Sequence, residues 1–511
     1  MMTTSSLGSS ASKAAETPSA AATPVNEGSF FKRYGLLLAI AVLALVCWAP
    51  QPEGLSVTGQ RMIGIMLFAV IVWSTTAMSY PVSAGVIMAL IAILVGLAPK
   101  PDAAGLFGTG AAMRMALAGF SSPAFCLVGA ALFLSAAMVQ TGLDKRIALN
   151  ILSRIGTDPK HIVLGVILCG FILSFFVPST TARVACLVPI VVGIVHAFGL
   201  SMNSSFAGLL MITVAQIDSV WNIGIKTAAA QNMVAVNFIR EMTGVEISWL
   251  EWFIAAAPLA GLLSVALYLI VAYLLRNSVG SLKDGKAAVT AQLKAMGPIS
   301  ANEIKLTVIS VLLLLCWVTE KKFHPIDTTT ATVCAIALLM LPGIGVMNWK
   351  GTVERINWGT ILLFGVGISL GSGLLATKAA QWLANGIVAN FGLANAEIFF
   401  VLAVMAAFLI VIHLGFASAT GLASAIIPIV IAVFSQLEGP NVNVVGLTMI
   451  MQYVVSFGYI LPVNAPQNMI AYSTGSFSVR TFAIIGVVFT LIAYAMVLLL
   501  SATYWSWLGL T

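Results

Sequence analysis

Apolar runs long enough to cross a bilayer recur along this chain from residue 35 to residue 508. A hydrocarbon core about 30 Å thick takes roughly 20 apolar residues of helix to span. Inside it every backbone N–H and C=O must find a partner within the protein. The chain is therefore expected to be an all-α polytopic membrane protein. Composition agrees: 60% of the 511 residues are hydrophobic, and the 8% that are charged are too few to clothe a soluble domain of this size.

The formal charge of +7 does not signal nucleic acid, because the basic residues are scattered among loops. The six cysteines (Cys47, Cys126, Cys169, Cys186, Cys316 and Cys334) all fall inside apolar segments. They read as small core residues, not as disulfides or metal ligands. Residues 1–34 are rich in Ser, Ala, Thr and Pro, without apolar periodicity, and are expected to form a disordered cytoplasmic tail. The tail is too long, and CWAPQP too poor a cleavage site, for a signal peptide.

Spans are expected near 35–49, 60–79, 81–98, 122–141, 205–239, 248–275, 304–319, 327–347, 358–377, 442–474 and 481–508. Two further stretches, 161–198 and 396–435, are long enough to cross and return, and each carries polar residues at its middle. They read as re-entrant hairpins, which gives about 11 crossings plus two hairpins. With the N-terminus in the cytoplasm, 15 basic residues fall inside and seven outside, while Arg183 and Lys226 stay within the membrane layer. That bias favours this orientation, with the C-terminus outside.

The polar break in the first hairpin occurs twice. STTARVACLVPI (179–190) and SATGLASAIIPI (418–429) share S-x-T and a later P-I, 239 residues apart. AAQNMVA (229–235) and APQNMIA (465–471) match at 236. TGLDKRIALNILSRIG (141–156) and TKAAQWLANGIVANFG (377–392) pair at the same distance. Five crossings separate the hairpins, so the second copy is inverted relative to the first. The expected organisation is a first helix and loop over 35–59, repeat 1 over 60–276, a cytoplasmic linker over 277–303, and repeat 2 over 304–511. Inverted repeats with broken helices mark secondary transporters, whose sites lie near the midplane. Helices that start there point their positive ends at the bound group. With Arg183 and Lys226 nearby, the pattern describes an anion site. The tip residue Thr180 is expected to be reachable from inside and Ala419 from outside.

From about residue 35 onward the sequence resembles the divalent anion:sodium symporter family, carriers of dicarboxylates, citrate and sulfate. The most specific stretch is SFGYILPVNAPQNMIA (456–471), and PSTTAR with GVEISWLEWF (244–253) looks closest to the citrate–succinate exchanger and oxoglutarate–malate translocator branch. The resemblance implies a homodimer with an elevator-like transport domain, in a bacterial inner membrane. It places the anion at Ser179, Thr180, Thr181, Thr227, Ser418, Ala419, Thr420, Asn464, Ala465 and Pro466, to which the charges within the membrane layer add Arg183 and Lys226. Coupling sodium, where used, would lie at Ser179, Thr180, Gly224, Ala228, Ser418, Ala419 and Asn464. No other cofactor is implied. Two departures stand out: the family's tip asparagines are Thr180 and Ala419 here, and Lys226 puts a fixed cation beside the first unwound segment.

Those departures predict anion exchange with reduced sodium dependence. Sulfate or another oxyanion is the alternative cargo, and a cation or proton antiporter the alternative carrier. Asp218 is the acid such an antiporter would use. An enzyme is not expected, because no H-E-x-x-H and no carboxylate pair lies in a span. The glycines of GVGISLGSG (365–373) read as positions for close helix packing.

Overall fold

The computed structural model describes residues 28–101, 104–156, 158–276, 285–393, 396–437 and 442–511. Within them the chain is helical, with crossings at α1 (Gly28–Trp48), α2 (Val57–Ser74), α3 (Tyr80–Leu90) and, after the short α4 (Thr109–Leu117), α5 (Pro123–Thr141). Then come a surface helix α6 (Leu143–Arg154), a hairpin of α7 (Pro159–Phe176) and α8 (Thr180–Ala197), a broken crossing of α9 (Ser205–Gly224) and α10 (Ala230–Thr243), and α11 (Trp249–Leu275). A linker helix α12 (Gly285–Ala295) leads to α13 (Ala301–Thr319), α14 (Thr328–Met340), the short α15 (Trp349–Val353) and α16 (Trp358–Ala376). The closing series is α17 (Ala379–Asn390), a hairpin of α18 (Ile398–His413) and α19 (Ala419–Phe434), a broken crossing of α20 (Val444–Val455) and α21 (Pro466–Tyr472), α22 (Val479–Ala502) and α23 (Tyr504–Trp507).

Three of the boundaries that differ from the sequence expectation have a local cause or fall beside undescribed residues. The first helix begins at Gly28, inside the stretch read as tail, since no breaker stands between Gly28 and Tyr34; residues 1–27 lie outside the described residues. The span expected over 327–347 stops at Met340, because Pro342 forces Leu341 into an extended conformation (ψ 134°). The linker expected over 277–303 contains α12, and its residues 277–284 lie outside the described residues.

Burial explains why polar residues survive in some spans. Every residue of α9 that could span the membrane is enclosed by protein, against 28% of the corresponding stretch of α13. Gln216, Asp218, Ser219 and Asn222 on α9 therefore face neighbouring helices rather than lipid.

The series α6 to α11 recurs as α17 to α22, down to single hydrogen bonds. Thr141 and Thr377 each donate to the carbonyl four residues earlier, at 2.9 and 2.8 Å, and the next residues, Gly142 (φ 74°) and Lys378 (φ 58°), are both left-handed. Both broken crossings pass through a 3-10 turn, Lys226–Ala228 and Pro462–Asn464, into an extended alanine, Ala229 (φ −149°, ψ 141°) and Ala465 (φ −150°, ψ 139°). Asn232 Nδ2 donates to Asn222 O (2.7 Å) and Ile225 O (3.2 Å). Asn468 Nδ2 donates to Gly458 O (2.8 Å) and Leu461 O (3.5 Å), the same bonds 236 positions on. Each break thus has its orphan carbonyls satisfied by an asparagine one turn into the next helix.

The copies are also bonded to each other. Gln216 Nε2 donates to Tyr459 O at 2.9 Å, and its counterpart Gln452 reaches Asn232 Oδ1 at 3.4 Å. Glycines on α16 admit side chains from other helices: a Cβ at Gly365 would strike Phe120, at Gly371 Phe238 and at Gly373 Met62. On α22, Gly486 lies against the unwound segment of repeat 2, and a Cβ there would stand 2.1 Å from Tyr459 O. That neighbour is backbone and cannot rotate away. Gly486→Ala should lower stability by roughly 1–3 kcal/mol. Thermal unfolding of the purified protein checks it, with Gly85→Ala, where a Cβ meets nothing within 4 Å, as the unaffected control.

Candidate functional site

A cavity of about 370 Å³ lies where four helices begin. Thr180, Ala230, Ala419 and Pro466, the first residues of α8, α10, α19 and α21, all line it. The first turn of a helix carries N–H groups without intrahelical partners and the positive end of the peptide dipoles. The tip residues Ser179, Thr181, Ser418 and Thr420 line it as well, with Thr227 and Ala465 from the two unwound segments. Ser179 Oγ accepts from Ala182 N and Ser418 Oγ from Gly421 N, each at 3.3 Å. A serine that accepts in this way still has its own proton to donate. Thr227 Oγ1 likewise accepts from Trp249 Nε1 at 3.2 Å. Among the described residues, no carboxylate lines this cavity. The arrangement is a cradle of donors.

Arg183 is corrected. Its side chain is fully buried, points behind the hairpin and does not line the cavity. Nε binds Asp218 Oδ1 at 2.8 Å, Nη2 binds Asn222 Oδ1 at 2.7 Å and Asp218 O at 3.2 Å, and Nη1 binds Val177 O at 2.8 Å and Ala228 O at 3.4 Å. Asp218 is thus an ion-pair partner. Asn222 joins the site to this knot, since Thr180 Oγ1 also donates to its Oδ1 at 2.8 Å.

Lys226 is corrected too. It belongs to the 3-10 turn whose next residue, Thr227, faces the first cavity, yet Lys226 faces a second one of about 410 Å³. Its Nζ donates to Ile247 O at 2.6 Å. Gly224, Ala228 and Asn464 also stand behind the cavity wall. Any Cβ at Gly224 would meet Trp221, and Asn464 Nδ2 bonds the carbonyls of His413 (2.9 Å), Leu414 (3.3 Å) and Phe416 (3.0 Å). Thr180 and Ala419 line one and the same cavity. Its exposed lining residues include Ala185, Arg355 and Asn357.

Sequence reasoning missed Tyr80, Ser135, Asn222, Gln231, Gln467, Arg355, Asn357 and Thr360 in the lining. Gln231 and Gln467 were legible, as the glutamines of the two QNM motifs. They donate to Ser456 Oγ (3.4 Å) and Ser219 Oγ (3.0 Å).

The Arg183–Asp218 pair has apolar counterparts in repeat 2, Leu422 and Val454. Removing one partner of a buried pair strands a charge and costs about 3–5 kcal/mol, whereas an apolar replacement of both is often neutral. Arg183→Leu alone should therefore lower the unfolding temperature sharply, and Arg183→Leu with Asp218→Val should recover most of it. Differential scanning fluorimetry on the two variants checks this, and an equally unstable double variant would mean that the carbonyl bonds of Arg183 matter more than its charge pairing.

Comparison with known proteins fits this geometry. The chain is 52% identical over 477 residues to a membrane protein of Cupriavidus necator, covering 93% of each. It is 23% identical over 488 residues to a sodium-dependent dicarboxylate transporter of Staphylococcus saprophyticus, covering 91% of this chain and 90% of that one. It is 26% identical over 489 residues to an L-tartrate/succinate antiporter of Escherichia coli, covering 92% and 97%. The fold resembles the crystal structure of the Alcanivorax borkumensis YdaH transporter, with a TM-score of 0.55 at 12% identity over 86% of this chain and 98% of that one. The family model for the sodium:sulfate symporter transmembrane region matches residues 31–511. The chain is a membrane transporter and belongs to the sodium:sulfate symporter family, in line with its sequence resemblance to the divalent anion:sodium symporters.

Proposed function

We propose that this transporter is a secondary active carrier of small di- and tricarboxylates that exchanges one anion for another. The observation that carries the proposal is the cavity itself, with four helix starts and the hydroxyls of both hairpin tips converging where no carboxylate lines the wall among the described residues. A dianion taken from water needs its hydration replaced by donors, and the helix starts and tip hydroxyls supply them within an otherwise largely apolar wall. Sulfate remains the second reading, favoured by the description of the family model. A proton or cation antiporter is disfavoured, because Asp218 is paired with Arg183.

Two contacts favour exchange over sodium symport. Sodium would be held by carbonyls at the hairpin tips and unwound segments. In repeat 1 the carbonyls of Val177 and Ala228 already accept from the Arg183 guanidinium, and in repeat 2 those of His413, Leu414 and Phe416 accept from the Asn464 amide. A side chain cannot leave with the cargo as an ion does. An empty site would carry the free donors of its helix starts and tip hydroxyls through a medium of low dielectric. A loaded site crosses more easily, so influx depends on efflux. The alternating movement is of the elevator type, in a homodimer, with 60–276 and 304–511 as inverted repeats and the N-terminus in the cytoplasm of a bacterial inner membrane.

Two measurements test this. Labelled succinate should enter proteoliposomes loaded with succinate and fail to enter empty ones, equally in sodium and in choline; steep sodium dependence with uptake into empty vesicles restores sodium symport. For topology, Lys145 on α6 and Gln381 on α17 are exposed and 236 residues apart. In a cysteine-free background, Lys145→Cys should react with impermeant thiol reagents only from the cytoplasmic side and Gln381→Cys only from outside. Reaction from one common side removes the inversion.

A further inference from the structure

We propose that Arg355 makes the two faces of the carrier unequal, by binding the mouth-facing end of the anion only while the site is open to the cytoplasm; this rests on the carrier function proposed above. Among the described residues lining the anion cavity, Arg355 alone is charged. The two cations nearest the motifs contribute nothing to this wall, because Arg183 is bonded behind it and Lys226 faces another cavity. The deep end therefore meets the anion with helix starts and hydroxyls, and full positive charge appears only at the mouth.

The placement of Arg355 is suited to that role. It lies between α15 and α16, in a loop that the expected topology puts on the cytoplasmic side; it lines the same cavity as the hairpin tips on α8 and α19, and it is exposed. Among the described residues its one side-chain hydrogen bond runs from Nη1 to Gly351 O. Among the described residues the rest of its fork has no hydrogen-bond partner, and a guanidinium fork suits a carboxylate. A four-carbon dicarboxylate held by one end at the tips presents its other carboxylate toward this mouth.

The energetic consequence follows from where Arg355 is attached. The tips belong to the hairpins, while Arg355 is on a loop of other elements. When the tips turn to the outer face, the anion leaves the reach of Arg355. A group that contacts a ligand in only one of two states tightens only that state. The carrier should therefore show a lower KM on its cytoplasmic face than outside, with Arg355 responsible for the difference.

The test measures exchange in right-side-out and in everted membrane vesicles preloaded with the anion, using succinate, citrate or sulfate, whichever the wild type exchanges. Arg355→Gln should raise KM on the cytoplasmic face by about two- to ten-fold at low ionic strength, within the range for exposed charged contacts. KM on the outer face should stay unchanged. The cytoplasmic effect should shrink near roughly 0.5 M salt, where screening shortens the reach of charge. Arg355→Lys should keep part of the asymmetry. An equal rise on both faces, or no change on either, overturns the proposal. A wild type that exchanges none of the three anions overturns the carrier reading, and the role of Arg355 falls with it.

Discussion

A helix broken inside a membrane leaves carbonyls and N–H groups where no water can satisfy them. The rest of this structure depends on how those groups are partnered. On the carbonyl side the work falls to side chains: Asn232 and Asn468 close the two breaks, while Arg183 and Asn464 tie the hairpin tips to the unwound segments. On the N–H side the starts of the following helices are left facing a shared cavity. The asymmetry between satisfied carbonyls and helix starts that face the cavity is what suits the centre of the protein to an anion.

Charge is handled differently from polarity. The buried guanidinium is neutralised by a carboxylate 2.8 Å away, so repeat 1 gains a fixed brace without a net field. Repeat 2 performs the equivalent brace with a neutral amide. Two chemically unlike side chains thus solve one geometric problem in the two halves. The halves are equivalent in backbone, as the matched alanines Ala229 and Ala465 show, but not in electrostatics.

Much of this was legible in the sequence. Hydropathy located the crossings, and the repeated S-x-T and QNM motifs located both tips and both breaks, because local backbone demands select recurring residue types. Orientation of side chains was not legible. Arg183 lies three residues after Thr180, and its helix alone does not say whether it turns to the cavity or to α9; the decision comes from Asp218, 35 residues away in sequence. Lys226 and Thr227 are neighbours that face different cavities, a split set by the 3-10 turn that no hydropathy pattern encodes. Arg355 was visible only as a loop charge, since its place at the mouth depends on α15 and α16 meeting the hairpins in space. The end of α14, by contrast, follows from Pro342 and needed only local chemistry.

The ion pair between α8 and α9 also has a consequence for how the chain is made. Arg183 leaves the ribosome 35 residues ahead of Asp218. At about 5–20 residues per second the guanidinium waits roughly 2–7 s for its carboxylate. Placing an arginine at the centre of a lipid-facing helix costs about 2.5–3.5 kcal/mol on insertion scales. The first hairpin is therefore poorly suited to partition into lipid by itself. Insertion of the hairpin together with α9 avoids that cost, because α9 brings the carboxylate that pairs with Arg183. The second hairpin, with Leu422 at the matching position, has no such delay.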